Sequence, residues 1–169
     1  EFTLLEWYHL DFDHHQLIKE IDDLLQRVLA TPAASKISYH DLFMQHFNIN
    51  PHTASNQQLK ALIFQQNIAT NTEDLSSDDY LNLLLTHRIE HTLGKEQPLF
   101  IYDYPASQAA LAKIRQGPYP VAERFELYIN GIELANGFHE LTDSQQQLYR
   151  FEQEQQARKK NNQPIPEID

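Results

Sequence analysis

The sequence predicts an α+β fold, an antiparallel sheet with flanking helices. Three observations carry this expectation. Strand-like apolar runs occupy residues 1–10, 99–105 and 122–138. Between the first two, apolar residues recur at the 3.6-residue helical period. Asn130-Gly131 stands between two alternating runs, and this dipeptide marks a tight hairpin because both residues tolerate positive φ.

The elements follow in order. "EFTLLEWYHL" reads as a strand, with Phe2, Leu4, Glu6, Tyr8 and Leu10 on one face and Thr3, Leu5, Trp7 and His9 on the other. Both faces are largely apolar, which places it centrally in the sheet. Asp11 or Asp13 caps a helix reaching Ala30, with Leu17, Ile18, Ile21, Leu24, Leu25 and Val28 recurring at the 3.6-residue period. Residues 31–94 read as a helical stretch. It holds a short helix after Ser38, another over "NQQLKALIFQQN" and a longer one over "SSDDYLNLLLTHRIEHTL". "LFIYDYP" is a short buried strand stopped by Pro105, "SQAALAKI" gives one or two helical turns, and "RQGPYP" is a loop. The strands "AERFELYI" and "IELANGF" form the hairpin. A polar helix capped by Thr142 or Asp143 closes the chain.

Composition narrows the function classes. With 169 residues and 41% hydrophobic content, the chain suffices for one packed domain. No apolar run has the length of a membrane span, and no membrane partner is expected. Cysteine is absent, so disulfides and thiol catalysis are excluded, in keeping with a cytoplasmic setting. The net charge of −11 disfavours generic nucleic-acid binding, which needs Lys and Arg on phosphates. The one basic run, Arg158-Lys159-Lys160, reads as a solvated helix end. The nine histidines are scattered; His14 and His15 are adjacent and lack the i, i+4 spacing that aims two rings at one metal. A structural zinc site is not expected.

The hairpin concentrates acid. A two-residue loop pairs Ile129 with Ile132, Tyr128 with Glu133, Leu127 with Leu134 and Glu126 with Ala135. Phe125, Leu127, Ile129, Ile132 and Leu134 then share a core face, with Glu126, Tyr128 and Glu133 opposite. Glu126 and Glu133 become diagonal neighbours about 7 Å apart. Such a pair calls for Arg124 or a divalent cation; hard carboxylate ligands suit Mg²⁺. The competing reading is a plain solvent-facing strand surface. Simple alternation turns Asn136 away from Glu133, and the small residues Ala135 and Gly137 permit a bulge that re-aims it. Glu140, just past the strand, is placed to reach an ammonium group. On the first strand, Glu6 and Tyr8 share a face, and a glutamate on so apolar a strand wants a partner.

These blocks together resemble a family. "EFTLLEWY" resembles the second half of motif 2 of class II lysyl-tRNA synthetases. "GIELANGFHELTDSQQQLYRFEQ" resembles the conserved block that follows, and "IYDYPASQAALAKI" the strand and Tyr-Pro-Ala segment between them. Leu134-Ala135, His139 and "YPASQAALA" look most like the synthetase paralogues that modify elongation factor P, the (R)-β-lysine ligases. The resemblance covers nearly the whole chain. It implies residues 1–169 as part of a class II synthetase catalytic domain, with 31–94 a helical insertion between the motif 2 strand and the later strands.

The resemblance also implies a reaction. Such enzymes activate an amino acid with ATP and Mg²⁺ as an adenylate, and the ligases pass (R)-β-lysine to a lysine of elongation factor P. By position, Glu6, Tyr8, Asn136 and Glu140 match the amino-acid contacts, Glu126 and Glu133 the Mg²⁺–ATP carboxylates, and Leu134 offers backbone contacts to the nucleotide. No covalent nucleophile is implied. Motif 1, the motif 2 arginine and the motif 3 arginine have no counterpart here. The chain therefore reads as an internal piece, inactive alone, of a homodimeric parent that does not take tRNA. A lysyl-tRNA synthetase fragment and a non-catalytic synthetase-like binding domain are the alternatives.

Overall fold

A computed structural model describes every residue except 2, 70, 72–74, 161, 168 and 169. Helix α1 (His14–Leu29) starts where Asp13 makes a capping box. The Asp13 carboxylate accepts the Gln16 N–H at 2.9 Å, and the Gln16 side chain accepts the Asp13 N–H at 3.0 Å. It ends at Ala30 in the left-handed region, φ 53°. Strand β1 (Ser35–Ser38) runs straight into α2 (Tyr39–Phe47), whose first turn is held by the Ser38 hydroxyl accepting the Asp41 N–H at 3.0 Å. Helices α3 (Asn56–Gln65) and α4 (Ser77–Leu84) carry the same kind of box, Ser55 with Gln58 and Ser76 with Asp79.

The expected single helix from Ser76 onward is interrupted. After Leu84 the backbone loosens into a π turn, Leu85–Ile89, then tightens into a 3₁₀ turn, Glu90–Thr92. Arg88, on the π turn, donates from Nε to the Gln66 carbonyl at 3.1 Å and ties this end to α3. Strand β2 (Leu99–Pro105) follows, then a single 3₁₀ turn at Ala106–Gln108 and the two-residue β3 (Ile114–Arg115). Strands β4 (Val121–Ile129) and β5 (Ile132–Phe138) form the hairpin, with Asn130 and Gly131 at φ 56° and 78°. Helix α5 (Ser144–Lys160) is capped by Asp143, which accepts the Gln145 and Gln146 N–H groups at 3.0 Å. Arg150 anchors it by donating to the Ala110 and Ala112 carbonyls at 2.7 and 2.6 Å. At its end Arg158 pairs with Glu154 at 2.8 Å, as a solvated helix end should.

Among the described residues the sheet has five strands. Strand β4 is central: β2 lies on one side, and β3 and β5 share the other side end to end. It is not purely antiparallel, because β1 pairs parallel with β2. Sequence reading missed β1 since four residues with serines at both ends carry no period, and α2 supplies the apolar cover instead.

Two cores lie on the sheet's two faces. Tyr104, Ala122 and Tyr128 face α2, α3 and α4, where Tyr39, Phe43, Leu59, Ile63 and Leu84 are buried. Phe100, Phe125 and Leu127 face α1 through Ile18 and Ile21, with Trp7 packed at the margin. Burying each such side chain is worth about 1.5–3 kcal/mol relative to exposure.

Residues 3–9 correct the first expectation. They take no place in the sheet, and Leu4, Leu5, Tyr8 and Leu10 are exposed. Phe2, assigned to the same strand, lies outside the described residues. Two-sided apolar alternation signals a strand covered on both faces, but pairing also needs a free edge. Both long edges of β2 and β4 are already taken within the chain, and residues 3–9 pair with none of the outer edges that β1, β3 and β5 leave open. Among the described residues no helix is long and apolar enough to cross a membrane.

Candidate active site

Strand β4 alternates cleanly, with Phe125 and Leu127 towards α1 and Arg124, Glu126 and Tyr128 towards the other face. The partner strand does not. Ile129 pairs with Ile132 and Tyr128 with Glu133, but then the register slips, so Leu127 opposes Ala135 and Glu126 opposes Asn136. Leu134 is the extra residue of a β-bulge and has no partner in the ladder. The expected pairs Leu127–Leu134 and Glu126–Ala135 are thus corrected, by the bulge that Ala135 and Gly137 permit. Ile132 and Leu134 are also exposed and not core. Gly137 is fixed by a close approach: a Cβ there lies 2.4 Å from the Phe125 ring.

The consequence is chemical. Cross-strand partners share a face, so the bulge puts Glu133 and Asn136 beside Tyr128 and Glu126. The Asn136 side chain lies near Glu133 and favours the charged form of its carboxyl. Glu126 is held by three donors: Tyr104 Oη at 2.6 Å, Tyr128 Oη at 2.8 Å and Arg124 Nη2 at 2.6 Å. Arg124 lies over the Tyr104 ring, 4.6 Å from its centroid, and also donates to the Gln108 carbonyl at 3.1 Å. Burial first, and the Glu126 charge second, push both phenols far above their ordinary range, so they remain donors. Glu133 has no such clamp. Burial, then the charge of Glu126, raises its carboxyl above the ordinary 4.5, with Asn136 and Arg124 opposing.

Glu6 and Tyr8 form a second group. The Tyr8 hydroxyl donates to Glu6 Oε1 at 2.9 Å, in the open. That hydrogen bond, then the Glu6 charge, raises the phenol above its ordinary 10.0, and Glu140 adds a smaller push in the same direction. Glu140 therefore lies within electrostatic reach of the pair. Its backbone bridges to Ala112, which fixes where the chain leaves β5. The seven candidate positions thus gather as a hairpin group, Glu126, Glu133, Leu134 and Asn136, and an outer group, Glu6, Tyr8 and Glu140; Glu133 serves two of the assigned roles.

Sequence reading put Tyr128 on the face of Glu126 but missed Tyr104, the other tyrosine that holds it. Tyr104 shares strand parity with Tyr102, so alternation puts them on one face. Asp103 intervenes at φ 59° with a register shift in β2, and the two rings go to opposite cores. An aspartate inside an aromatic strand is the only sign of it in the sequence, since Asp tolerates the left-handed region better than most residues.

Comparison with known proteins gives the family. Residues 1–167 match the family model described as tRNA synthetases class II (D, K and N). An elongation factor P–(R)-β-lysine ligase of Hamiltonella defensa subsp. Acyrthosiphon pisum (strain 5AT) is 48% identical over 159 residues, covering 94% of this chain and 49% of that protein. The chain thus spans about half the length of this curated relative. A match of this extent, over residues that include both candidate groups, places the chain in the class II tRNA synthetase (D, K and N) family.

Proposed function

We propose that the full-length protein activates (R)-β-lysine with ATP and transfers it to a lysine side chain of elongation factor P. The observation that carries this reading is the 48% identity, across 94% of the chain, to a ligase of that name. In the first step a substrate carboxylate oxygen attacks the α-phosphorus of ATP and pyrophosphate leaves. In the second the acceptor lysine nitrogen attacks the adenylate carbonyl, AMP leaves and an amide forms. No enzyme nucleophile is required; the work is positioning and charge neutralisation.

The residue roles follow from charge and placement. A β-lysine carries two ammonium groups, which Glu6, Glu140 and the Tyr8 hydroxyl receive, with Asn136 donating to the substrate carboxylate from the floor of the hairpin. Glu126 and Glu133 hold Mg²⁺, and the unpaired backbone of Leu134 meets the nucleotide. The donor set fits that ion. Glu126 already accepts three hydrogen bonds, which leaves about one lone pair for a cation. Glu133 is the freer ligand, and its raised carboxyl is the signature of a carboxylate short of positive charge. When bound, Mg²⁺ neutralises phosphate charge in the activation step. We assign residues 1–169 to a class II catalytic domain with 31–94 as its helical insertion. The setting is cytoplasmic, and the parent is a homodimer that does not use tRNA.

Pyrophosphate exchange by the full-length protein tests this, with (R)-β-lysine and α-lysine compared at matched Mg²⁺. Mg²⁺-dependent exchange preferring β-lysine is expected. Preference for α-lysine replaces the reading with a lysyl-tRNA synthetase, to which the family match is equally open. Absence of exchange with either substrate leaves a binding domain.

A further inference from the structure

The adjacent histidines at the start of α1 lack the spacing of a metal site within one helix, but the fold brings them a third group from 89 residues away. Asp103 sits at the irregularity in β2 with φ 59°, which turns its carboxylate to the first turn of α1. His14, His15 and Asp103 each offer one ligand atom, and those atoms lie within 4.8 Å of one another. His14 Nε2 is 3.1 Å from Asp103 Oδ1, and the two imidazole rings are 4.0 Å apart.

A second observation is independent of that clustering. His14 is 1% exposed, and its Nδ1 has no hydrogen-bond partner. The ring nitrogen turned to Asp103 is the other one, Nε2, so burial holds this imidazole with a ligand nitrogen aimed at the carboxylate. His15 is exposed, which leaves a side open to solvent and gives an ion a way in. The other oxygen of Asp103 accepts from Arg115, which also reaches Glu123 at 3.4 Å. A carboxylate fixed by an outer hydrogen bond is the usual support of a metal ligand.

We propose that His14, His15 and Asp103 bind a divalent transition metal, Zn²⁺ fitting best, which pins the start of α1 to the β2 irregularity. Two imidazoles and one carboxylate suit zinc, whereas Mg²⁺ and Ca²⁺ prefer all-oxygen shells. Three protein ligands leave one position for water. The site lies on the α1 side of the sheet, separate from the Glu126–Glu133 group, and does not depend on the proposed reaction.

The test uses full-length protein stripped by a chelator, titrated with Zn²⁺ by calorimetry and with Co²⁺ by visible absorption. One equivalent of Zn²⁺, a Co²⁺ d–d band and a rise in unfolding temperature with added Zn²⁺ are expected. His15→Ala removes an exposed ring and should weaken Zn²⁺ by more than the roughly 100-fold that loss of an outer partner reaches. His14→Gln should do the same while keeping a buried polar side chain. His87→Ala, an exposed histidine elsewhere, should leave binding intact. Zn²⁺ affinity indifferent to His15→Ala, or no Co²⁺ band, overturns the site. His14, Asp103 and Arg115 would then be an ion-pair network alone.

Discussion

Helices α2, α3 and α4 bury most of their apolar residues, with Met44 and Phe64 left exposed, while β5 and the segment before α1 leave most of theirs in water. Phe43 is 0% exposed and sits among Tyr39, Leu59 and Ile63, whereas Ile132 is 61% and Leu134 54% exposed. The helical region carries capping boxes at two of its three helices and none of the candidate site residues. Every proposed substrate, nucleotide or Mg²⁺ contact lies on or just past the hairpin or in the N-terminal segment. Rigidity and chemistry are thus separated in sequence but joined at β4, whose inward residues pack the core and whose Glu126 serves the site. Mutations on the two sides should therefore fail in different ways.

Phe43→Ala should show the largest effect, a loss of about 3–5 kcal/mol in urea unfolding, because a fully buried ring leaves a cavity. A loss under about 1 kcal/mol would mean that the helical region is not the stabilising half. Glu133→Gln should have the opposite signature. Pyrophosphate exchange by the full-length protein should fall about 10²–10³-fold. The unfolding midpoint at pH 7 should hold or rise. The sign follows from the raised carboxyl: ionising it in the folded state costs stability once pH climbs past its ordinary 4.5, and Gln removes that cost. A parallel fall in stability would erase the distinction between the regions.

Gly137→Ala tests the junction. The added methyl meets the Phe125 ring at 2.4 Å, so about 1–3 kcal/mol should be lost in urea unfolding, together with part of the exchange activity. Loss of stability with full activity would show that the hairpin group does not depend on the packing beneath it. Ser55→Ala sharpens the comparison at the small end. Removing this cap should cost about 1 kcal/mol of stability and leave KM and kcat unchanged.

The same division governs what could be read from sequence. Helices announced themselves, because Asp13, Ser38 and Asp143 cap where local chemistry dictates and the apolar period continues from there. The Asn130-Gly131 turn was equally local. What escaped reading depends on partners distant in the chain. Strand β1 exists because β2 offers an edge, whereas residues 3–9 take up none of the outer edges that β1, β3 and β5 leave open. Acidic residues in an apolar hairpin marked the site, but the arrangement rests on two backbone irregularities that alternation does not encode. The bulge at Leu134 aims Asn136, and the left-handed Asp103 sends Tyr104 to Glu126 and its own carboxylate to His14.

The bulge also changes how this stretch must be compared with other sequences. Glu133 and Asn136 are three apart, a spacing that belongs to helices, yet they stand side by side on a strand. Deleting Leu134 would leave both facing the same partners across a regular ladder; what would vanish is one unpaired peptide and the extra local twist. Inserting a residue at the same place would keep Asn136 on this face of a regular ladder but move it from opposite Glu126 to opposite Arg124. The hairpin is therefore tolerant of shortening and intolerant of lengthening at one point, so gaps placed here in an alignment carry opposite meanings according to their sign.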